Sequence, residues 1–257
     1  MCELLGLTSK NKVEMNDLFN VFFSHSAEHP NGWGLALFDD PQNYVEKEPV
    51  KAIDSLLLKR VLSEHIQTSR CIAHIRRATI GDIEFNNTHP FYKRDDYGRT
   101  WTLAHNGTIF DSEILTPYQY VQEGTTDSER ILLYIVDEIN DHRKKDGEML
   151  SIDKRIRVVE KVIRNIVPGN KLNLMIYDGE LFYIHKNEPG TMYMMEKPER
   201  VLFSTKPLEA GGWKEVPQNR LLVYKDGENV YSGQSHDHTY IHDEEKMGLL
   251  YLEYSRL

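Results

Sequence analysis

The sequence predicts an α+β fold with mostly antiparallel sheet, and three observations carry that expectation. Apolar strand-like runs come first, with two amphipathic helical segments among them; a longer strand-rich stretch with two more helices follows, and the chain finishes in hairpins. Asp178-Gly179 and Asp226-Gly227 each separate two apolar runs, as hairpin turns do. A parallel doubly wound sheet would need stricter alternation of strand and helix, and neither GxGxxG nor GxxxxGK[ST] occurs.

The elements follow in order. Residues 2 to 8 and Asn31 to Asp39 read as buried strands, joined by a helix that carries Leu18, Val21, Phe22 and Phe23 on its apolar side. Tyr44 to Val50 is expected to pair back as a hairpin strand. A second helix is expected from near Asp54 to Ile66, where Leu57, Leu58, Val61, Leu62 and Ile66 recur at helical spacing. Cys71 to Thr79 and Thr100 to Asn106 read as strands. Thr126-Asp127-Ser128-Glu129 has the T-x-x-E form of a capping box, and opens a helix that buries Ile131, Leu132, Ile135, Val136 and Ile139. The next helix, from about Ser151 to Val167, carries Ile152, Ile156, Val159, Ile163 and Ile166 and is stopped by Pro168-Gly169.

Composition narrows the function classes. The chain has 257 residues, 40% of them apolar and 28% charged, which suits one large domain with a substantial core. A net charge of −9 disfavours nucleic acid or an anionic membrane as partner and leaves small molecules as the default ligand class. With only two cysteines, Cys2 and Cys71, there is no disulfide framework, and a cytoplasmic location is expected. Cys71 lies in an apolar run and reads as inert core. No stretch approaches the roughly 20 apolar residues of a membrane helix, and charges interrupt any secretory signal before it could form.

Cys2 stands where removal of Met1 would give one residue both a thiol and a free α-amine. A nucleophile needs a base within hydrogen-bond reach. The amine titrates near about 7.7 to 8.0 and the thiol near about 8.5, so proton exchange between them is almost thermoneutral. Taken alone, Cys2 reads first as a small residue at the start of a buried strand.

Further segments join it: Asn31-Gly32-Trp33-Gly34-Leu35-Ala36, Ala73-His74-Ile75-Arg76-Arg77-Ala78-Thr79, Asn87-Thr88-His89-Pro90-Phe91, Leu103-Ala104-His105-Asn106-Gly107-Thr108-Ile109 and Thr125-Thr126-Asp127-Ser128-Glu129. In this order, with cysteine at position 2, they resemble the class II glutamine amidotransferases, and most of all the stand-alone, YafJ-like members of about this length. The resemblance covers essentially the whole chain. It implies an N-terminal-nucleophile hydrolase fold, a four-layer αββα sandwich of two mostly antiparallel sheets, formed by residues 1–257 as a single domain with Met1 removed.

The resemblance also implies roles. Cys2 would be the nucleophile; Asn106 and Gly107 would form the oxyanion hole with a side-chain NH₂ and a backbone N–H. Arg76 would grip the α-carboxylate of glutamine as a planar fork of donors, Asp127 would hold the α-ammonium, and Thr79 would contact the substrate. His89 is expected to support the site structurally, and His74 to be a satisfied, partly buried histidine. Two positions depart from the glucosamine-phosphate synthases of this family: Arg77 replaces a tryptophan and Ile80 a histidine, so the pocket edge is expected to differ. No acceptor domain is expected to follow the glutaminase domain.

The implied reaction is attack of Cys2 on the side-chain amide of glutamine, releasing ammonia and, through a γ-glutamyl thioester, glutamate. No cofactor and no metal are required, and any use of the ammonia needs a partner protein carrying the acceptor. Three alternatives stand beside it. A γ-glutamyl peptide or conjugate would present the same glutamyl head. His236, His238 and His242, beside Asp237, Asp243 and Glu244, form an HxHxxxH run that suits zinc on residue type. A non-catalytic module would retain Met1.

Overall fold

The computed structural model describes residues 2–39, 44–146, 149–244 and 248; Met1, the proposed leaving residue, lies outside them. Two antiparallel sheets stack face to face. The larger holds seven strands in the order β11-β9-β10-β1-β4-β2-β3, and the smaller holds six in the order β13-β12-β8-β7-β6-β5. In chain order these are β1 Glu3–Glu14, β2 Trp33–Leu37, β3 Tyr44–Glu48, β4 Gln67–Ile75, β5 Phe91–Arg94, β6 Thr100–His105 and β7 Leu174–Tyr177. They continue with β8 Phe182–Lys186, β9 Tyr193–Lys197, β10 Arg200–Ser204, β11 Trp213–Glu215, β12 Arg220–Lys225 and β13 Glu228–Ser232. The helices are α1 Asn16–Ser24, α2 Leu56–Ser63, α3 Asp127–Asp146 and α4 Ile152–Ile166.

Side-chain alternation assigns the layers. Along β1, Leu5 and Leu7 pack with Phe19, Phe22 and Phe23 of α1 and Leu58 and Val61 of α2, while Leu4 packs with Met175, Phe182 and Ile184 of the other sheet. On the smaller sheet Trp101 and Leu103 of β6 join Ile131, Ile135, Ile139, Ile156 and Ile163 of α3 and α4, and Ala104 turns inward. The result is helix, sheet, sheet, helix: the expected αββα order, with a separate apolar core at each of the three junctions. The central strands β1 and β4 are apolar on both faces because both faces are covered.

The structure shifts several expected boundaries. Strand β1 runs to Glu14 instead of ending near residue 8, because its second half pairs with Thr68 and Gln67 of β4 after a register shift. On α1, Phe22 and Phe23 are buried and Leu18 packs against the core as expected, whereas Val21 is 40% exposed and Phe19 takes the buried position in its place. Helix α2 is shorter than expected, starting after the Ser55 cap, whose side chain accepts from Leu58 N–H; Ile66 lies past its end and leads into β4. Strand β4 ends at Ile75, which leaves Ala78 and Thr79 in a loop.

The two capped helices behave as the sequence implies. Ser151 caps α4, accepting from Lys154 N–H, and Thr126 Oγ1 accepts from Glu129 N–H at 3.3 Å. Glu129 then departs from the usual reciprocal box: its carboxylate accepts from Glu123 N–H at 2.7 Å and Gly124 N–H at 2.8 Å, tying down the loop ahead of the helix. Asp226 and Gly227 both take positive φ, 52° and 82°, as a two-residue turn between β12 and β13 requires.

Candidate active site

Antiparallel pairing brings the site residues to one end of the molecule. Strand β1 starts where β4 ends, with Glu3 opposite Ile75, so Cys2 and Arg76 extend from neighbouring strand ends. Strand β6 ends at His105, and Asn106 and Gly107 follow at once. Asp127 begins α3, which packs against β5 and β6.

The first residues of β1 are fixed by polar contacts that sequence reasoning did not anticipate. Leu4 exchanges two hydrogen bonds with Thr205, N–H to Oγ1 and C=O from N–H, both 3.1 Å. The Glu3 carboxylate is 2% exposed and meets His25 Nδ1 at 2.8 Å and Lys206 Nζ at 2.6 Å. Burial alone would raise its pKa, but the hydrogen bonds from Lys206 and His25 together outweigh that and hold it below the ordinary carboxylate value.

Cys2 lines a cavity of about 20 Å³ together with Arg77, Thr79, Asn106, Gly107, Thr108, Lys171 and His242. Its sulfur accepts from Arg77 N–H at 3.3 Å, and the thiol donates to Arg77 C=O at the same distance. Position 77 therefore meets the thiol through its backbone, which any side chain supplies, while the Arg77 side chain is exposed. Burial pushes the Cys2 thiol up, opposed by the Arg77 N–H and the Arg76 charge. Cys71, fully buried, is pushed up by the same cause.

Asn106 donates its backbone N–H to Asn173 C=O at 2.9 Å. Among the described residues no partner holds its carboxamide, and Asn106 lines the cavity together with Cys2. Gly107 is fixed by space: a Cβ built there would stand 2.1 Å from Lys171 O and 2.2 Å from His105 Nε2. His105 Nε2 donates to that same carbonyl at 3.1 Å, so its Nδ1 accepts from the Ser128 hydroxyl at 3.0 Å. Burial lowers the His105 pKa and keeps the ring neutral, consistent with that tautomer.

Arg76 and Asp127 are buried close by but do not line this cavity. The Arg76 guanidinium donates to the carbonyls of Ile80, Gly81 and Asp82 at 3.0, 2.8 and 2.8 Å, and so shapes the loop that presents Thr79. Asp127 Oδ2 accepts from Ile109 N–H at 2.7 Å, joining α3 to the loop after Gly107. His89 is buried and stacks on His74 with ring centroids 4.2 Å apart. The expectation of a satisfied, partly buried His74 is corrected: it is fully buried, and among the described residues neither its ring nitrogens nor those of His89 have a hydrogen-bond partner. Burial, with the neighbouring positive groups, keeps both rings neutral.

Three cavity residues were missed from sequence. Thr108 and Lys171 are 3% exposed and form an isolated bridge beside Gly107; Lys171 is ion-paired with Glu188. The one sequence signal for Lys171 is a charge at the head of the buried run Leu172-Asn173-Leu174. His242 comes from the histidine run weighed for zinc, but the run is dispersed: His236 Nε2 pairs with His185 Nε2 at 2.9 Å, while the exposed His242 lines the cavity that holds Cys2. Among the described residues no group of three or more His, Cys, Asp or Glu is arranged to hold a metal ion, and no helix is long and apolar enough to cross a membrane.

Comparison with known proteins decides the family. The model of the class-II glutamine amidotransferases matches residues 1–199. The chain belongs to that family. An uncharacterized protein of Methanocaldococcus jannaschii is 30% identical over 261 residues, covering 91% of this chain and 72% of that one. YafJ of Escherichia coli is 26% identical over 219 residues, 80% of this chain and 84% of its own. Among solved structures, the glutamine phosphoribosylpyrophosphate amidotransferase of B. subtilis superposes with a TM-score of 0.66 at 15% identity, covering 91% of this chain and 49% of that one. That likeness shows a shared fold, two stacked antiparallel sheets between helices. Residues beyond 199 are integral to it here: β10 lies between β9 and β1 in the larger sheet, and β12 and β13 complete the smaller one.

Proposed function

We propose that the chain, as one domain spanning 1–257 with Met1 removed, is a cytoplasmic glutaminase-type amide hydrolase in which Cys2 attacks the side-chain carboxamide of glutamine. The observation that carries the reading is the shared cavity of Cys2, Thr79, Asn106 and Gly107. The α-amine of Cys2 takes the thiol proton as sulfur bonds to the carboxamide carbon. The negative charge that develops on oxygen is met by the Asn106 NH₂ and the Gly107 N–H. The protonated amine then gives its proton to the leaving nitrogen, ammonia departs, and water cleaves the γ-glutamyl thioester to glutamate and free thiol. Arg76 and Asp127 hold the glutamyl carboxylate and ammonium. No metal or organic cofactor takes part in this sequence, and transfer of ammonia rather than its release needs a partner protein that carries the acceptor.

Intact-mass measurement and glutamate release test the proposal together. The purified protein is expected to lack Met1 and to release glutamate from L-glutamine, and Cys2→Ala is expected to lose that activity by at least about 10³-fold. Retained Met1 with no turnover overturns it, and a clear preference for γ-glutamyl dipeptides over glutamine overturns the choice of substrate.

A further inference from the structure

After β13 the chain passes along the smaller sheet and comes to the cavity that holds Cys2. Backbone bonds of 2.8 Å anchor it in steps: Gly233 N–H to Leu221 C=O, His236 N–H to Asn219 C=O and Tyr240 N–H to Asn187 C=O. Asn187 Nδ2 adds a bond to His238 C=O at 3.1 Å. The Tyr240 ring stacks on Phe110, centroids 5.8 Å apart and planes within 9°. Phe110 belongs to the loop that follows Asn106-Gly107, so the segment is seated on the candidate oxyanion loop itself.

A pair of neutral histidines holds the middle of this segment. His185 Nδ1 donates to Leu172 C=O at 2.7 Å, which leaves its Nε2 as an acceptor. His236 must therefore donate from Nε2, across 2.9 Å, and accept at Nδ1 from His238 N–H at 3.3 Å. Every ring nitrogen is used once and in one direction. Burial favours this neutral state, lowering the His185 pKa to about 3 and the His236 pKa to about 4.

Past Tyr240 the segment delivers His242 to the cavity at Cys2. That cavity, about 20 Å³, has room for roughly one water-sized molecule, since about 10–15 Å³ is needed to hold a water. Space of that size beside Cys2 takes a bare NH₂ group, whereas an N-substituted amine exceeds it. Arg76 and Asp127, assigned above to the glutamyl head, do not line the cavity, whereas Lys171 and His242 do. The Lys171 and His242 flank is thus the side left for the group that departs.

We infer that the segment from Gly233 to His242 is the leaving-group wall of the site, and that His242 restricts the enzyme to primary amides by excluding substituted amines from the space beside Cys2. This rests on the reading of Cys2 as the nucleophile that cleaves a glutamyl amide. His242 acts by occupying volume and takes no proton in the reaction. The residues beyond 199 then add substrate choice to a reaction centre built from the first half of the chain.

The test compares His242→Ala and Tyr240→Ala with Ile241→Ala, whose side chain is 81% exposed and does not line the cavity. Two ratios are read. The first is kcat/KM for L-γ-glutamyl-p-nitroanilide over that for L-glutamine; the second is the rate of Cys2 alkylation by N-phenylmaleimide over that by iodoacetamide. His242→Ala and Tyr240→Ala should raise both ratios by about tenfold, the scale on which a pocket wall discriminates size, and Ile241→Ala should leave them within about twofold. Unchanged ratios, or a rise in small and bulky rates alike, overturn the wall. If the wild-type protein turns over neither substrate, the proposed function fails by itself, and the alkylation ratio alone decides the wall.

Discussion

The two sheets contribute to the Cys2 cavity in physically different ways. The larger sheet places Cys2 through directed polar contacts: Glu3 with His25 and Lys206, and Leu4 with Thr205. The smaller sheet places Gly107 through exclusion of volume, because the backbone of Lys171 passes where a Cβ at 107 would stand, and holds Asn106 beside it by the bond from its N–H to Asn173 C=O. Hydrogen-bonded placement weakens gradually when a partner is altered, since solvent and neighbouring donors compensate in part. Steric placement does not weaken gradually, since close-packed backbone cannot yield by an ångström without moving a strand. Cys2 is therefore expected to tolerate change around it better than Gly107.

Substitutions on the smaller-sheet side should have the larger effects. Asn106→Ala removes a carboxamide that has no other partner among the described residues, so it should lower kcat for glutamate release about 10²–10³-fold at nearly unchanged thermal stability. A loss below about tenfold would remove Asn106 from the oxyanion site. Gly107→Ala meets Lys171 O at 2.1 Å, and strand displacement should cost about 1–3 kcal/mol along with most of the turnover. Circular dichroism melting alongside the assay separates the two substitutions: a stable Gly107→Ala protein with full activity would show that the contact relaxes freely, and would abolish the contrast between the sheets.

What was legible in the sequence divides along similar lines. Cys2, Thr79, Asn106 and Gly107 were legible because the implied chemistry demands those residue types in those motifs, and they line one cavity. Helices α3 and α4 were legible because their caps and apolar spacing are local signals. Lys171 and His242 were not, since each reaches Cys2 only through the fold, and the bridge from Thr108 to Lys171 spans a helix pair. The histidine run at 236–242 suggested zinc on residue type alone. Its true partners, His185 and the Cys2 cavity, are long-range pairings that no local spacing encodes. Arg76 fell between these cases: its burial in an apolar strand end was foreseeable, but its bonds to the carbonyls of residues 80–82 follow from where β4 stops.

The smallest effect is expected on the larger-sheet side, at Glu3. Glu3→Gln keeps the volume and removes the charge that Lys206 and His25 face. Because Lys206 is 53% exposed, solvent screens much of that loss, and about 1–2 kcal/mol of stability is expected to go, with less than about tenfold effect on turnover. The pH dependence has a definite sign. The folded-state pKa of Glu3 lies below the unfolded value of about 4.3, so the folded state binds fewer protons at this group. Its contribution is complete above that unfolded pKa and disappears as pH falls through the folded one. The gap in Tm between wild type and Glu3→Gln should therefore be full at pH 7 and should narrow progressively once the pH drops below about 4.3. A gap that persists unchanged into strong acid would mean that Glu3 acts through its shape rather than its charge, and that Cys2, like Gly107, is placed by packing.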